Sequence, residues 1–238
     1  MLYNSILNSE LSPRDTKLSD NWGYVYVAVY TFYQITGEEK YRQAVRKVLR
    51  NLPKYRGYDW EAGSMDGYAD SIESAIYLVA REPVPEAQRW IESEIKIMLA
   101  YQQPDGAIER WYGDGNWNRT ALLFAMMKTQ GCYLKSWAPG VELGAAQQDG
   151  KLYVSLHSAK PWAGKVAFDY ARHRRELNFR KNYVRLNEWP EWFAVDENTL
   201  YKVKDAAGKE RALLGSELKE GFPVKLAAGE TLKLAVSR

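Results

Sequence analysis

The chain predicts an α+β fold, helices first and strands after, with a helical-hairpin domain over residues 1–134 and an antiparallel β domain over 135–238. Two observations carry this. Three acid–Gly–aromatic clusters recur in the first half: Asp20-Asn21-Trp22-Gly23-Tyr24, Asp66-Gly67-Tyr68-Ala69-Asp70 and Asp114-Gly115-Asn116-Trp117-Asn118-Arg119-Thr120. They are spaced 46 and 48 residues apart (20 to 66, 66 to 114). Each precedes or opens an apolar stretch of helical spacing, and a period of that size marks stacked helical hairpins. Past about Lys135 the apolar period becomes two, and short runs alternate with turn dipeptides.

The helices follow in order. Asn21 to Thr36 carries Trp22, Val25, Val29, Phe32 and Tyr33 on one face, with Ser19 or Asp20 as N-cap and Gly37 as stop. Glu38 to Leu52 has the stripe Tyr41, Val45, Val48, Leu49 and Leu52, ended by Pro53. Asp66 to Ala80, Pro85 to Tyr101 and Trp117 to Thr129 complete five helices, separated by Pro83, the Asp105-Gly106 and Asp114-Gly115 turns, and a closing Gly131. Strands are expected at Leu152 to Leu156, Gly164 to Asp169, Leu200 to Val203, Arg211 to Leu214, Pro223 to Leu226 and Thr231 to Val236, with a further one at Glu176 to Arg180. Such a series argues for an antiparallel sheet or sandwich.

Composition narrows the function classes. The 238 residues carry a formal net charge of +3, with both signs interspersed, so no basic block argues for nucleic acid. No run approaches a membrane span and no signal peptide is visible, so a cytoplasmic location is expected, without a membrane partner. Cys132 is the single cysteine and reads as a buried thiol. No metal-ligand spacing, phosphate loop or nucleophile elbow is present, and no cofactor or metal is expected. Nine Trp and seventeen Tyr are many, and several fall in loops or at helix starts.

If every second helix opens with one of these clusters, acids and aromatics gather at one rim, as a sugar-binding cleft requires. The candidate catalytic carboxylates are Asp66, Asp70 and Asp114. Asp20, Glu73, Glu61 and Glu109 lie nearby in sequence. Asp66 and Asp70 are four apart and share a helical face, and close like charges raise one pKa, which keeps an acid protonated near neutral pH. Capping of a helix start is the bland alternative for Asp20 and Asp66. The substrate-binding set is Asp20, Trp22, Tyr24, Trp60, Tyr68, Tyr112, Trp117 and Arg119. The aromatics would stack on sugar faces, and Arg119 would fork onto a carboxylate of substrate or protein. Elimination chemistry needs a Tyr or His base, and His157 and His173 both fall in the β region. The aromatic segment Arg185 to Phe193 reads either as an interdomain plug or as a second carbohydrate contact.

Helical hairpins that open with Trp-Gly-Tyr and Asp-Gly-Tyr, the Gln102-Gln103-Pro104-Asp105-Gly106 turn, and the β-rich tail together resemble the six-hairpin (α/α) toroid superfamily. That superfamily includes glycoside hydrolases and polysaccharide lyases. The resemblance covers roughly residues 19–236, is architectural, and transfers no catalytic residue. It implies a partial (α/α) toroid followed by a β-sandwich-like domain, and a carbohydrate ligand. Hydrolysis through paired carboxylates ranks before elimination, and a non-catalytic glycan-binding or scaffold fragment is the alternative from another class. A full toroid needs about twelve helices. Five imply a fragment, a paired chain or a reduced array, and predict self-association through exposed hairpin flanks.

Overall fold

The computed structural model describes residues 7–14, 18–19, 22–60, 65–106, 115–185 and 188–238. The protein is α+β. Its chain divides into two compact units: residues 1–124 with 183–190, and residues 125–182 with 191–238.

The first unit contains α1 (Trp22–Thr36), α2 (Glu39–Asn51), α3 (Met65–Val79), α4 (Pro85–Leu99) and the opening turns of α5 (Asn116–Thr129). Gly37, at φ +74°, closes α1 and donates its N–H to the Tyr33 carbonyl. A left-handed residue there lets the chain reverse into α2 within two residues. A 3-10 turn, Leu52–Tyr55, ends α2 around Pro53.

Side-chain contacts set the helix directions. Near the start of α1, Gly23 approaches α3 so closely that a Cβ on it would lie 1.9 Å from Ser74 Cβ. Farther along, Tyr30 reaches Glu82, just past the end of α3. Thr120 Oγ1 donates to the Ala69 carbonyl at 3.2 Å, joining α5 to α3 with the starts of both helices at the same end. Helices α1, α3 and α5 therefore run parallel, with α5 starting level with α3 and the start of α1 lying beside the second half of α3. Helix α2 packs on α1 and α4, and α4 packs on α3, forming a second row. The core between the rows holds Val25, Val29, Val45, Val48, Leu49, Ile72, Ile76, Trp90, Ile91 and Ile95. Residues 183–190 return to this unit: Val184 N–H donates to Gln34 Oε1 at 2.8 Å and Glu188 N–H to the Tyr77 hydroxyl at 2.9 Å.

The second unit carries β1 (Cys132–Lys135), β2 (Val141–Gln148), β3 (Lys151–Ser158), β4 (Trp162–Tyr170), α6 (Arg172–Arg175), β5 (Ala194–Val195), β6 (Leu200–Asp205), β7 (Glu210–Leu214), α7 (Gly215–Glu220), β8 (Phe222–Leu226) and β9 (Glu230–Ser237). One sheet runs β2-β3-β9-β6-β7, antiparallel throughout. In the other, β4 pairs antiparallel with β1 and β8 and parallel with the two-residue β5. Along β3, Leu152, Val154 and Leu156 are buried while Lys151, Tyr153 and Ser155 face out, as the period of two requires. Leu152, Val154, Val203, Leu234 and Val236 of one sheet share a core with Val166, Phe168, Phe222 and Val224 of the other. Cys132 is buried in it, and burial pushes its thiol up to about 12.

Several elements differ from expectation, among them β1, β5 and α6, which the sequence reading does not place. Glu176 to Arg180 is not a strand. The chain turns through α6, Glu176 N–H bonds back to the Arg172 carbonyl, and Asn178 sits at φ +56°. Strand β2 is unforeseen because Gly144-Ala145-Ala146 has little strand propensity, and pairing with β3 along its whole length holds it extended. Helix α7 is also unforeseen. Its Gly215 lies where a Cβ would come within 2.0 Å of the Asp196 carbonyl oxygen.

Candidate functional site

Three helices bring described members of the three sequence clusters together. Helix α3 carries Asp66 in its first turn, Asp70 one turn later and Glu73 beyond it. Helix α5 opens with Asn116, Trp117 and Arg119, and α1 supplies Tyr24 from its first turn. The Asn116 side-chain amide donates to Asp66 Oδ1 and, at 3.3 Å, to Asp70 Oδ1. Its own carbonyl oxygen accepts from Arg119 Nη2. Arg119 Nε and Nη2 both meet Glu73 Oε2, at 2.8 and 2.7 Å. Tyr24 Oη lies 3.4 Å from Asp70 Oδ2. Asp66, Asp70, Asn116 and Arg119 are half-buried, Tyr24 is exposed, and Glu73 is buried at 3% exposure.

This arrangement shifts the titration of its members. Burial, then the negative charges of Asp66 and Glu73, raise the Asp70 pKa to about 7, against the pull of Arg119 and the Tyr24 hydroxyl. The Tyr24 phenol is also pushed up, by burial first and then by Asp70 and Glu73. Burial works against the charged form of Arg119, but the hydrogen bond and charge of Glu73 outweigh it and hold the guanidinium above its ordinary value. The cluster thus contains a carboxyl held toward its protonated form, a second carboxyl on the same amide, and a guanidinium paired with Glu73.

The expected residues fare differently. Asp66, Asp70, Tyr24 and Arg119 converge. Asp20, Asp114 and Tyr112, with Glu61 and Glu109, lie outside the described residues. Trp22, Trp60 and Trp117, expected as stacking platforms, are instead core side chains exposed by 3%, 1% and 2%. Trp22 packs against Tyr26, Trp60 against Trp90 and Trp117 against Tyr101, so neighbouring rings occupy the space a sugar would need. Tyr68 is half-buried and sits toward Glu94 and Asp59, which with burial raise its phenol. Glu94 is itself buried and ties down the turn after α2, accepting the Gly57 N–H on both oxygens at 3.1 Å.

Sequence reasoning passes over Asn116, the group that joins the two aspartates. Its signal is the period itself, since it follows Asp70 by 46 residues and Asp66 by 50. Both histidines lie in the second unit. His157 Nδ1 is 2.9 Å from Thr231 Oγ1, and His173 Nδ1 is 2.7 Å from Glu191 Oε2. Among the described residues no group of three or more His, Cys, Asp or Glu is placed to hold a metal ion, and no helix is long and apolar enough to cross a membrane. A scan against protein-family models finds no match to this chain, and a search of curated proteins finds no similar sequence.

Proposed function

We propose that the rim at the starts of α1, α3 and α5 is a carbohydrate-cleaving site of the glycoside hydrolase type, working with retention of configuration. The observation that carries this reading is the Asn116 amide shared by Asp66 and Asp70, with Asp70 raised to about 7. Two oxygens bonded to one nitrogen are separated by at most two hydrogen bonds, roughly 6 Å. That lies closer to the roughly 5–5.5 Å of retaining enzymes than to most of the roughly 6.5–9.5 Å range of inverting ones, and favours retention in this reading.

In this reading Asp70 is the general acid. Its proton passes to the glycosidic oxygen as the bond to the anomeric carbon breaks, while an Asp66 oxygen bonds to that carbon from the opposite face. Water, deprotonated by Asp70, then releases the sugar and restores both carboxyls. Asn116 orients the pair, and Arg119 orients Asn116. Elimination ranks second, because Tyr24 is pushed toward the protonated form and away from what a base needs. We read the helical unit as part of an (α/α) toroid, on the strength of its inner row α1, α3, α5 and outer row α2, α4, and the second unit as a β-sandwich, because both sheets feed one core.

A panel of plant and bacterial polysaccharides tests the proposal, read for reducing ends, for anomeric configuration by NMR, and for absorbance of unsaturated uronates. Reducing ends of retained configuration that fall about 10²–10⁴-fold in Asp70→Asn support it. Silence in both channels alongside measurable glycan binding replaces the enzyme with a binding protein.

A further inference from the structure

The candidate site has an unusual charge balance. Among the described residues, three carboxyls, Asp66, Asp70 and Glu73, face one guanidinium, and the cation acting on Asp70 is Arg119. Two of its three nitrogens are committed: Nε and Nη2 are both on Glu73 Oε2, and Nη2 also holds the Asn116 carbonyl oxygen. Glu73 is buried at 3% exposure. Turning Arg119 toward an incoming anion would strand a buried carboxylate and free the amide that aligns Asp66 with Asp70. The Asn116 amide nitrogen is likewise occupied, by the two aspartates. A ligand carboxylate or sulfate arriving here meets acceptors and net negative charge, in surroundings too dry to screen the repulsion fully.

We infer that the sugar ring seated at Asp66 and Asp70 carries no carboxylate or sulfate, so the site takes neutral or amine-bearing glycans and rejects uronates. The inference rests on the carbohydrate reading of the site. It assigns Glu73 a specificity role, since Glu73 withholds Arg119 from the ligand.

Matched oligosaccharide pairs that differ only at C6 provide the test: gluco- with glucurono-, galacto- with galacturono-, and manno- with mannurono-oligomers, titrated calorimetrically against the full chain. In every pair that binds, the neutral member is expected to bind at least about tenfold more tightly. The ratio should widen as pH rises through about 7 and Asp70 gains its charge. Glu73→Gln should narrow the ratio by releasing Arg119, with folding checked by circular dichroism. Should that variant not fold, Arg119→Gln serves instead: losing this guanidinium deepens the repulsion, so the ratio is expected to widen in favour of the neutral member. A ratio left unchanged by Glu73→Gln would strip Glu73 of its specificity role and overturn the inference. A tenfold preference for the uronate members overturns it too, while leaving the glycan site standing. No binding by any pair overturns the site reading and the inference together.

Discussion

Helix α3 has a carboxylate network at each end, and the two are built on opposite principles. Past its C-terminal end, Glu82 is 3% exposed and accepts from Tyr30 Oη at 2.9 Å, Arg42 Nε at 2.6 Å and Arg46 Nη1 at 3.4 Å. One acid there meets two guanidiniums. At the N-terminal end, three acids meet one guanidinium, half-buried, and one of the acids is driven toward neutrality. The difference teaches how to tell a structural ion cluster from a candidate site on one helix. A cluster that satisfies its charges holds elements together. One that leaves a carboxyl short of partners holds a proton in reserve, which is what acid catalysis uses.

Removing each acid should separate the two roles most sharply. Glu82→Gln leaves two guanidiniums facing one another without their shared negative charge, and is expected to cost about 3 kcal/mol of stability in urea unfolding. Glycan cleavage by the folded fraction should be unchanged. If Glu82→Gln unfolds at the wild-type urea concentration, the balanced cluster is not a structural tie and the comparison breaks.

Asp70→Asn should do the reverse. The folded pKa of Asp70, about 7, lies above its ordinary 3.8, so folding favours the protonated form. That favourable contribution is complete below 3.8 and is lost as pH rises to about 7. Asparagine does not titrate. Asp70→Asn should therefore gain stability relative to the wild type as pH rises across that window, visible as a flatter plot of melting temperature against pH. Wild-type cleavage should fall as pH passes about 7 and the acid loses its proton. An unchanged pH profile of stability in the variant would mean that Asp70 titrates normally.

The five helices were legible because their signals are local. Apolar residues three and four apart, with Gly37, Pro53, Pro85 and Gly131 as punctuation, place each boundary within two residues of the observed one. Strand β2 was not legible, since Gly144, Ala145 and Ala146 acquire their conformation from β3. At the site, the spacing of the clusters foretold the meeting of Asp66, Asp70, Tyr24 and Arg119. It did not reveal which way each aromatic turns. A Trp at a helix start fits a rim and a core equally well in one dimension. Trp22, Trp60 and Trp117 went to the core because the close approach of α1 and α3 at Gly23, and the ring contacts among loops and helices, enclose them. Asn116 was missed because an amide carries no charge and breaks no apolar pattern.

The finest contrast is between two tyrosines on α1. Tyr30 is buried at 5% exposure and donates to Glu82 at 2.9 Å, whereas Tyr24 is 43% exposed and lies 3.4 Å from Asp70. Tyr30→Phe removes a buried hydrogen bond to a charged acceptor, expected to cost about 1.5–3 kcal/mol. Tyr24→Phe removes a long, solvated one and should leave the melting temperature within error. Its effect should appear in titration instead. The Tyr24 hydroxyl is one of the influences holding the Asp70 pKa down, so its loss moves that pKa further up. The alkaline limb of the cleavage profile should then shift toward higher pH by a fraction of a unit, with the acid form of Asp70 persisting longer. A shift toward lower pH would show that the phenol supports the protonated carboxyl, and would reassign the proton between Tyr24 and Asp70.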